Sequence, residues 1–354
     1  MIYVHVPFCR SFCTYCGFYS EICGGTAMRR YADAVCAEIA ERRAEMTRDV
    51  NTLYIGGGTP SVLPPDVLGR IVGALPPGPY DEFTLEVNPE DIVEKGPDYL
   101  SALRALGVNR VSMGVQSFDD GLLRRMNRRH DAARAEQAFR MLRGAGFGNV
   151  GIDLIFGAAS LTDAMWEETV RKAVRLGPEH ISCYQLSVEE GSALADEVAA
   201  GRYTEAPEAQ CRGQYDRLCR LLADAGYRHY EISNFARPGF EAVHNSAYWR
   251  RVPYVGIGPA AHSFDGRKRR WNSSTLPEWT ASEETLTPED VRVETLMLGL
   301  RTDRGLGRDF LHKNCSEKQV DSLCAEGALV PDGDRLRIPE SRFFVADAII
   351  RELI

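Results

Sequence analysis

Cys9-Arg-Ser-Phe-Cys13-Thr-Tyr-Cys16 follows Ile2-Tyr-Val-His-Val6 almost at once. The β-branched and aromatic run predicts a strand. Pro7 and Phe8 end it, so the three thiols fall on the loop beyond its C-terminal end. Thiols with three and two residues between them can converge on one metal centre. A tetrahedral zinc site wants a fourth protein ligand nearby, and no histidine follows before His130. A 4Fe–4S cubane on three thiolates leaves one iron without a protein ligand, open to chelation by a small molecule.

The chain around this loop has 354 residues, enough for one large α/β domain and a small second one. No stretch approaches the roughly 20 apolar residues of a membrane span. A net charge of −8 argues against a general nucleic-acid binder. Ten cysteines without an export signal ahead of the first strand point to a reducing, cytoplasmic setting with free thiols. Cys211 shares a helical stripe with Tyr215, Leu218 and Leu222, and Cys183 lies in a strand-like run. Cys36, Cys219, Cys315 and Cys324 show no ligand spacing and are read as packing residues; Cys23, seven residues beyond the thiol loop, admits either role and is read the same way.

Strand-like runs at 2–6, 52–55, 83–87, 110–115, 150–156 and 180–186 alternate with helical runs at 28–46, 66–75, 99–106, from 119, 165–176 and 207–225. Short links between them imply parallel strands. Periodicity fits a barrel and an open doubly wound sheet equally, and both place active residues at the C-terminal ends of strands. This pattern covers 1–264. The stretch 265–286, with a basic turn and many Ser, Thr and Glu residues, is read as a linker. Thr287-Pro-Glu-Asp290 opens a helix, and 287–354 is expected to form a small winged-helix-like α/β domain.

Polar residues recur where strands end. Gly56-Gly-Gly-Thr-Pro60 lacks the Lys-Ser/Thr of a phosphate loop and the spacing of a dinucleotide site. A glycine turn there still admits close approach of a ligand to backbone. Glu86 ends the third strand, Gln116 the fourth, and Asp153 lies within the fifth. Arg128 offers a guanidinium fork for a carboxylate.

C-x-x-x-C-x-x-C with Tyr15 before the last cysteine resembles the motif of the radical S-adenosylmethionine (radical SAM) superfamily. The resemblance implies a partial (β/α)6 barrel and a 4Fe–4S cluster on Cys9, Cys13 and Cys16. It implies S-adenosylmethionine chelating the open iron, and an electron donor such as flavodoxin or ferredoxin. Gly57, Gly58 and Thr59 would approach the methionine amino group, and Glu86 the nucleoside or amino end. Gln116, Arg128, Asp153, Tyr3, Tyr15 and Ser187 would complete the cofactor contacts. Ala158-Ala159 stands where relatives usually have Leu-Pro, so the loop after Gly157 is expected to differ.

Gly114-Val-Gln-Ser-Phe118 and the C-terminal portion are similar to the oxygen-independent coproporphyrinogen III oxidase-like family. Two features depart from the oxidase itself: Phe18 stands where it has a further cysteine, and only eight residues precede Cys9 where it has an extension. His244-Asn-Ser-Ala-Tyr-Trp249 resembles the H-N-x-x-Y-W motif of the family's heme-chaperone branch. An imidazole can ligate heme iron, and Tyr248 and Trp249 offer flat faces for a porphyrin. Composition alone favours a structural turn with His244 bonded to backbone and Trp249 in the core; the motif resemblance speaks for family membership. The resemblance thus implies heme as a further ligand, an acceptor hemoprotein as partner and a homodimer. It makes a heme chaperone the expected function, with a radical SAM enzyme acting on a porphyrin, or a methyltransferase, as the alternative.

Overall fold

The computed structural model describes residues 1–46 and 50–354. Its centre is six parallel strands in sequence order: β1 (Ile2–Val6), β2 (Thr52–Gly57), β3 (Glu82–Val87), β4 (Arg110–Gln116), β5 (Val150–Phe156) and β6 (His180–Gln185). The apolar phase of each strand, including Val4, Ile55, Leu85, Met113 and Ile152, is fully buried in one core with helix residues such as Tyr31, Leu68, Leu103 and Phe139. The helices of this layer are α1 (Gly25–Glu41), α2 (Pro65–Ala74), α3 (Pro89–Ala105), α4 (Asp120–Arg125), α5 (Ala132–Gly144), α6 (Asp163–Leu176), α7 (Ala193–Ala199) and α8 (Glu208–Asp224). Side chains of β2 to β6 converge on one cavity, so the sheet curls into a partial barrel. Asn88, Asp119, Asp131, Thr162 and Ser192 each accept a backbone N–H at a helix start, which sets where the chain turns back after its strand or loop.

Beyond β6 the sheet gains an antiparallel pair, β7 (Arg228–Glu231) and β8 (Asn234–Ala236); at its other edge β9 (Val255–Ile257) runs parallel to β1. Between these lies the short helix α9 (Val243–Trp249). The stretch expected to be a linker instead holds β11 (Lys268–Asn272) and β12 (Ala281–Thr285), which join β10 (His262–Phe264) in an antiparallel ribbon. Cross-strand Lys268–Glu283 and Arg269–Glu284 pairs line that ribbon, and β12 is exposed throughout. A polar ribbon stabilised by such pairs has no apolar run to announce it.

Smaller differences have local causes. α3 starts well before residue 99 because Gly96, at φ +69°, kinks the helix without ending it. The helix expected over 28–46 runs from Gly25 to Glu41 and gives way to a 3-10 turn, Arg43–Glu45. Pro207 sits at the N-cap of α8 rather than in its first turn.

The C-terminal segment follows the order helix, strand, two helices, two strands: α10 (Pro288–Gly299), β13 (Leu306–Gly307), α11 (Arg308–Asn314), α12 (Glu317–Ala325), β14 (Val330–Asp332) and β15 (Arg335–Arg337), then a 3-10 turn, Glu340–Val345, and α13 (Ala346–Arg351). Its antiparallel sheet runs β13-β15-β14, a winged-helix-like arrangement. Thr287 and Asp290 close both bonds of a capping box at α10. All ten cysteines are free thiols. No helix among the described residues is long and apolar enough to cross a membrane.

Candidate functional site

The barrel encloses a cavity of about 850 Å³. Cys9, Cys13 and Cys16 line it from the loop after β1, joined by Tyr15, Gly57, Gly58, Thr59, Glu86, Gln116, Arg128, Asp153 and Ser187. The cysteine loop is anchored by backbone. Cys9 N–H donates to Glu21 O at 3.0 Å, Thr14 N–H to Met126 O at 3.2 Å, and Leu194 N–H to Thr14 O at 2.7 Å. The Asn127 amide adds a bond to Phe12 O at 2.7 Å.

The glycine turn is shaped around this loop. A Cβ on Gly58 would stand 2.8 Å from Phe8 O and 3.1 Å from Cys9 Sγ, and Gly57 has φ +117°. Thr59 Oγ1 lies 3.4 Å from Cys9 Sγ. Arg128 donates through Nη1 to Cys13 Sγ at 3.2 Å and through Nη2 to Gly114 O at 2.7 Å. Its Nε is buried without a hydrogen-bond partner. Three thiols open to one cavity, a glycine that leaves room beside Cys9, and a guanidinium with a spare donor fit a thiolate-held cluster bearing a carboxylate-containing ligand.

Glu86 is held deeper in the cavity. Tyr54 O–H donates to its Oε1 at 2.6 Å and Gly57 N–H to its Oε2 at 3.0 Å. Burial pushes this carboxyl up to about 7, Tyr54 opposing and the Asp153 carboxylate adding to the shift. Burial also raises Asp153, against hydrogen bonds from Ser182 and Ser112. The unfolded carboxyl titrates near 4.5, so the stabilisation of the protonated form is complete below that pH and lost as pH rises through 7. At about 1.4 kcal/mol per pH unit this amounts to roughly 3 kcal/mol, an upper limit because the cavity admits water. The buried His130, His180 and His244, lowered by desolvation, work in the opposite direction below pH 6.5, so the Glu86 share is read as a difference: in urea unfolding of the ligand-free protein, the stability of the parent relative to Glu86→Gln should fall between about pH 5 and about pH 7. An unchanged profile in the variant would assign the pH dependence elsewhere.

Tyr3 is half-buried behind the cavity wall rather than in it, with its hydroxyl on His5 Nδ1 at 3.0 Å and its ring 6.0 Å from that of Tyr54. Ser187 sits at the rim, where its hydroxyl donates to Glu189. The loop after Gly157 is secured by the buried Gln214, which accepts from Gly157 N–H at 2.8 Å and donates to Leu161 O at 2.7 Å. Ala158-Ala159 thus needs no proline to fix the turn.

The His244 segment is seated elsewhere. His244 is fully buried, with Nδ1 2.8 Å from Thr52 Oγ1 and Nε2 3.0 Å from Tyr248 O–H. Thr52 begins β2, whereas the cysteine loop meets the far end of that strand. Five residues of extended chain separate these ends by about 17 Å. Both imidazole nitrogens are engaged, and burial pushes the ring down to about 3. His244 therefore ties α9 to the bottom of the barrel, and neither it nor Tyr248 nor Trp249 lines the cavity. As folded, this is the opposite of an open axial ligand. Asn245 of the same segment does reach the cavity, as do Tyr54, Arg110, Ser112 and Ser182. Sequence reading passed over these five. The signal was present in the strands: Arg110-Ser112-Gly114-Gln116 alternates with Val111-Met113-Val115, a polar phase facing inward against an apolar phase facing the helices.

The model of the Radical SAM superfamily matches residues 3–173. The heme chaperone HemW of Mycobacterium tuberculosis is 33% identical over an alignment covering 100% of this chain and 94% of that protein. HemW of Lactococcus lactis is 32% identical, covering 99% and 96%. The mitochondrial radical S-adenosyl methionine domain-containing protein 1 of Mus musculus is 32% identical, covering 100% and 87%. Among solved structures, the coproporphyrinogen III oxidase HemN of Escherichia coli, a radical SAM enzyme, superposes with a TM-score of 0.83 over 99% of this chain and 89% of its own, at 22% identity, which speaks for the fold alone. Three thiols at one end of a partial barrel, and a likeness that runs from end to end, have one common account: the chain belongs to the radical SAM superfamily and, within it, to the HemW family.

Proposed function

We propose that this protein is a heme chaperone that holds a 4Fe–4S cluster through Cys9, Cys13 and Cys16, binds S-adenosylmethionine in the barrel cavity, and passes heme to an acceptor hemoprotein. What carries the reading is that HemW relatives match over the whole chain, C-terminal segment included. Membership of the superfamily implies the cluster and S-adenosylmethionine. When bound, that pair supplies one-electron chemistry at the sulfonium. The chain's own residues position and shield. Gly57, Gly58 and Thr59 offer backbone and a hydroxyl beside Cys9, and Arg128 has a free Nε for a carboxylate. Gln116, at φ +65°, bends the end of β4 towards the cavity, while Tyr15 and Ser187 line its wall and rim. Glu86 and Asp153 present carboxyl groups to a cationic ligand. Ionisation of Glu86 on pairing would release a proton, so affinity for that ligand rises as pH climbs towards 7.

Phe18, 73% exposed at the cavity mouth, stands where the oxidase carries a further cysteine, which favours heme handling over porphyrinogen oxidation. The heme contacts are not placed on His244 as it is folded here. The test is anaerobic: reconstituted protein should bind heme in a fixed stoichiometry and deliver it to an apo-hemoprotein without consuming coproporphyrinogen III. Conversion of coproporphyrinogen III to protoporphyrinogen IX by the same preparation would overturn the reading in favour of an oxidase.

A further inference from the structure

Cys219, His229 and Glu340 come from three separate elements: α8, β7 and the 3-10 turn Glu340–Val345 of the C-terminal segment. Among the described residues they are the one set of three such side chains whose donor atoms all lie within 4.8 Å of one another. His229 Nδ1 stands 3.0 Å from Glu340 Oε1 and 3.8 Å from Cys219 Sγ. The edges of a zinc tetrahedron, from metal–sulfur bonds of about 2.3 Å and metal–nitrogen or metal–oxygen bonds of about 2.0–2.1 Å, are close to 3.6 Å and 3.3 Å. The observed spacings lie within a few tenths of an ångström of both.

Hydrogen bonding decides which nitrogen is bare. Tyr215 O–H gives its proton to Ile232 O at 2.8 Å. His229 Nε2 faces that hydroxyl oxygen at 3.3 Å and the same carbonyl at 3.4 Å, so in the neutral ring Nε2 must carry the hydrogen. The Nδ1 lone pair then faces the Glu340 carboxylate oxygen and the Cys219 thiol, whose one proton is the hydrogen that a bound cation would displace. An outer carbonyl on the second nitrogen is how metal-binding histidines are commonly oriented. The ring is also fixed by stacking on Phe235, centroids 4.0 Å apart, and by the edge of Phe343. Glu340 is half exposed, which leaves an entry path and a place for a water ligand.

We propose that Cys219 Sγ, His229 Nδ1 and Glu340 form a second metal site, for a borderline divalent cation of the zinc type, that staples the C-terminal segment to the barrel. Loading displaces one proton from Cys219, which burial and the Glu340 carboxylate keep protonated in the metal-free chain. The site is independent of the cysteine loop and of the proposed heme function.

Titrating the full-length chain carrying Cys9→Ala, Cys13→Ala and Cys16→Ala, which removes the other thiol centre, with Co2+ tests it, with Cys219→Ser and Glu340→Gln each added to that parent and folding checked by circular dichroism. One equivalent of cobalt should develop a thiolate-to-metal absorption that Zn2+ bleaches. Cys219→Ser should lack it, and Glu340→Gln should bind at least about tenfold more weakly. Zn2+ should raise the melting temperature of the parent and of neither variant. An identical cobalt spectrum in Cys219→Ser would overturn the site. Unchanged affinity in Glu340→Gln would do the same, leaving only an imidazolium–carboxylate pair. Should Cys219→Ser not fold, the exposed Glu340→Gln variant decides alone.

Discussion

Replacing Cys9, Cys13 and Cys16 together by Ala is expected to abolish the visible absorbance of the anaerobically reconstituted protein and to reduce bound iron and sulfide to background. The thiols sit half-buried on a loop beyond β1, not in the hydrophobic core, and backbone bonds from Cys9, Thr14 and Leu194 position that loop without them. The variant should therefore keep its far-ultraviolet circular dichroism while losing the centre. The paired control is His244→Ala. His244 lies at the opposite end of β2, about 17 Å along the strand, so its loss should leave iron content unchanged. Retention of full iron in the triple variant, or loss of iron in His244→Ala, would contradict the ligand assignment. Gly58→Ala offers a finer probe, because its Cβ would press on Phe8 O and Cys9 Sγ without removing any ligand.

The second large effect is expected at Glu82, a residue far from the thiols. α9 has no side-chain cap of its own at Ala242. Glu82, the first residue of β3, caps it instead, accepting from Val243 N–H at 2.7 Å and His244 N–H at 3.1 Å. The Thr84 hydroxyl donates to Glu82 at 3.3 Å and accepts from Arg110 at 3.3 Å, which links the carboxylate to a guanidinium only 1% exposed. Glu82→Ala removes the counter-charge of a buried cation and leaves two helix amides unpaired. The expected loss is about 4 kcal/mol in chemical unfolding. Glu82→Gln keeps a carbonyl acceptor and should lose roughly half as much. A loss below about 1 kcal/mol in the alanine variant would mean that α9 is held by other contacts.

The parts of this protein legible along the chain are those written in local chemistry. Three thiols at close spacing, a glycine turn after a strand, and carboxylates at strand ends need only neighbours in sequence to be recognised, and all of these line one cavity. The six parallel strands announce themselves through short apolar runs. What stayed hidden depends on which residues meet across long separations. Arg110 and Asn245 reach the cavity only because the sheet curls and α9 closes its lower end. Nothing next to His244 in sequence foretells that Thr52 and Tyr248 engage both its nitrogens. Cys219 has no ligand spacing of its own; it meets His229 and Glu340 because α8, β7 and the C-terminal turn pack together.

The amino-acid sequence by itself determined the close-spaced set of three thiols after the first strand and the alternation of strand and helix, since both rest on residue type and short-range period. The tertiary structure alone decided which polar side chains face the cavity and which way the imidazole of His244 points. Those follow from sheet curvature and strand register, which arise from pairings between residues far beyond local reach, from Thr84 beside Arg110 to Ile2 beside Val255.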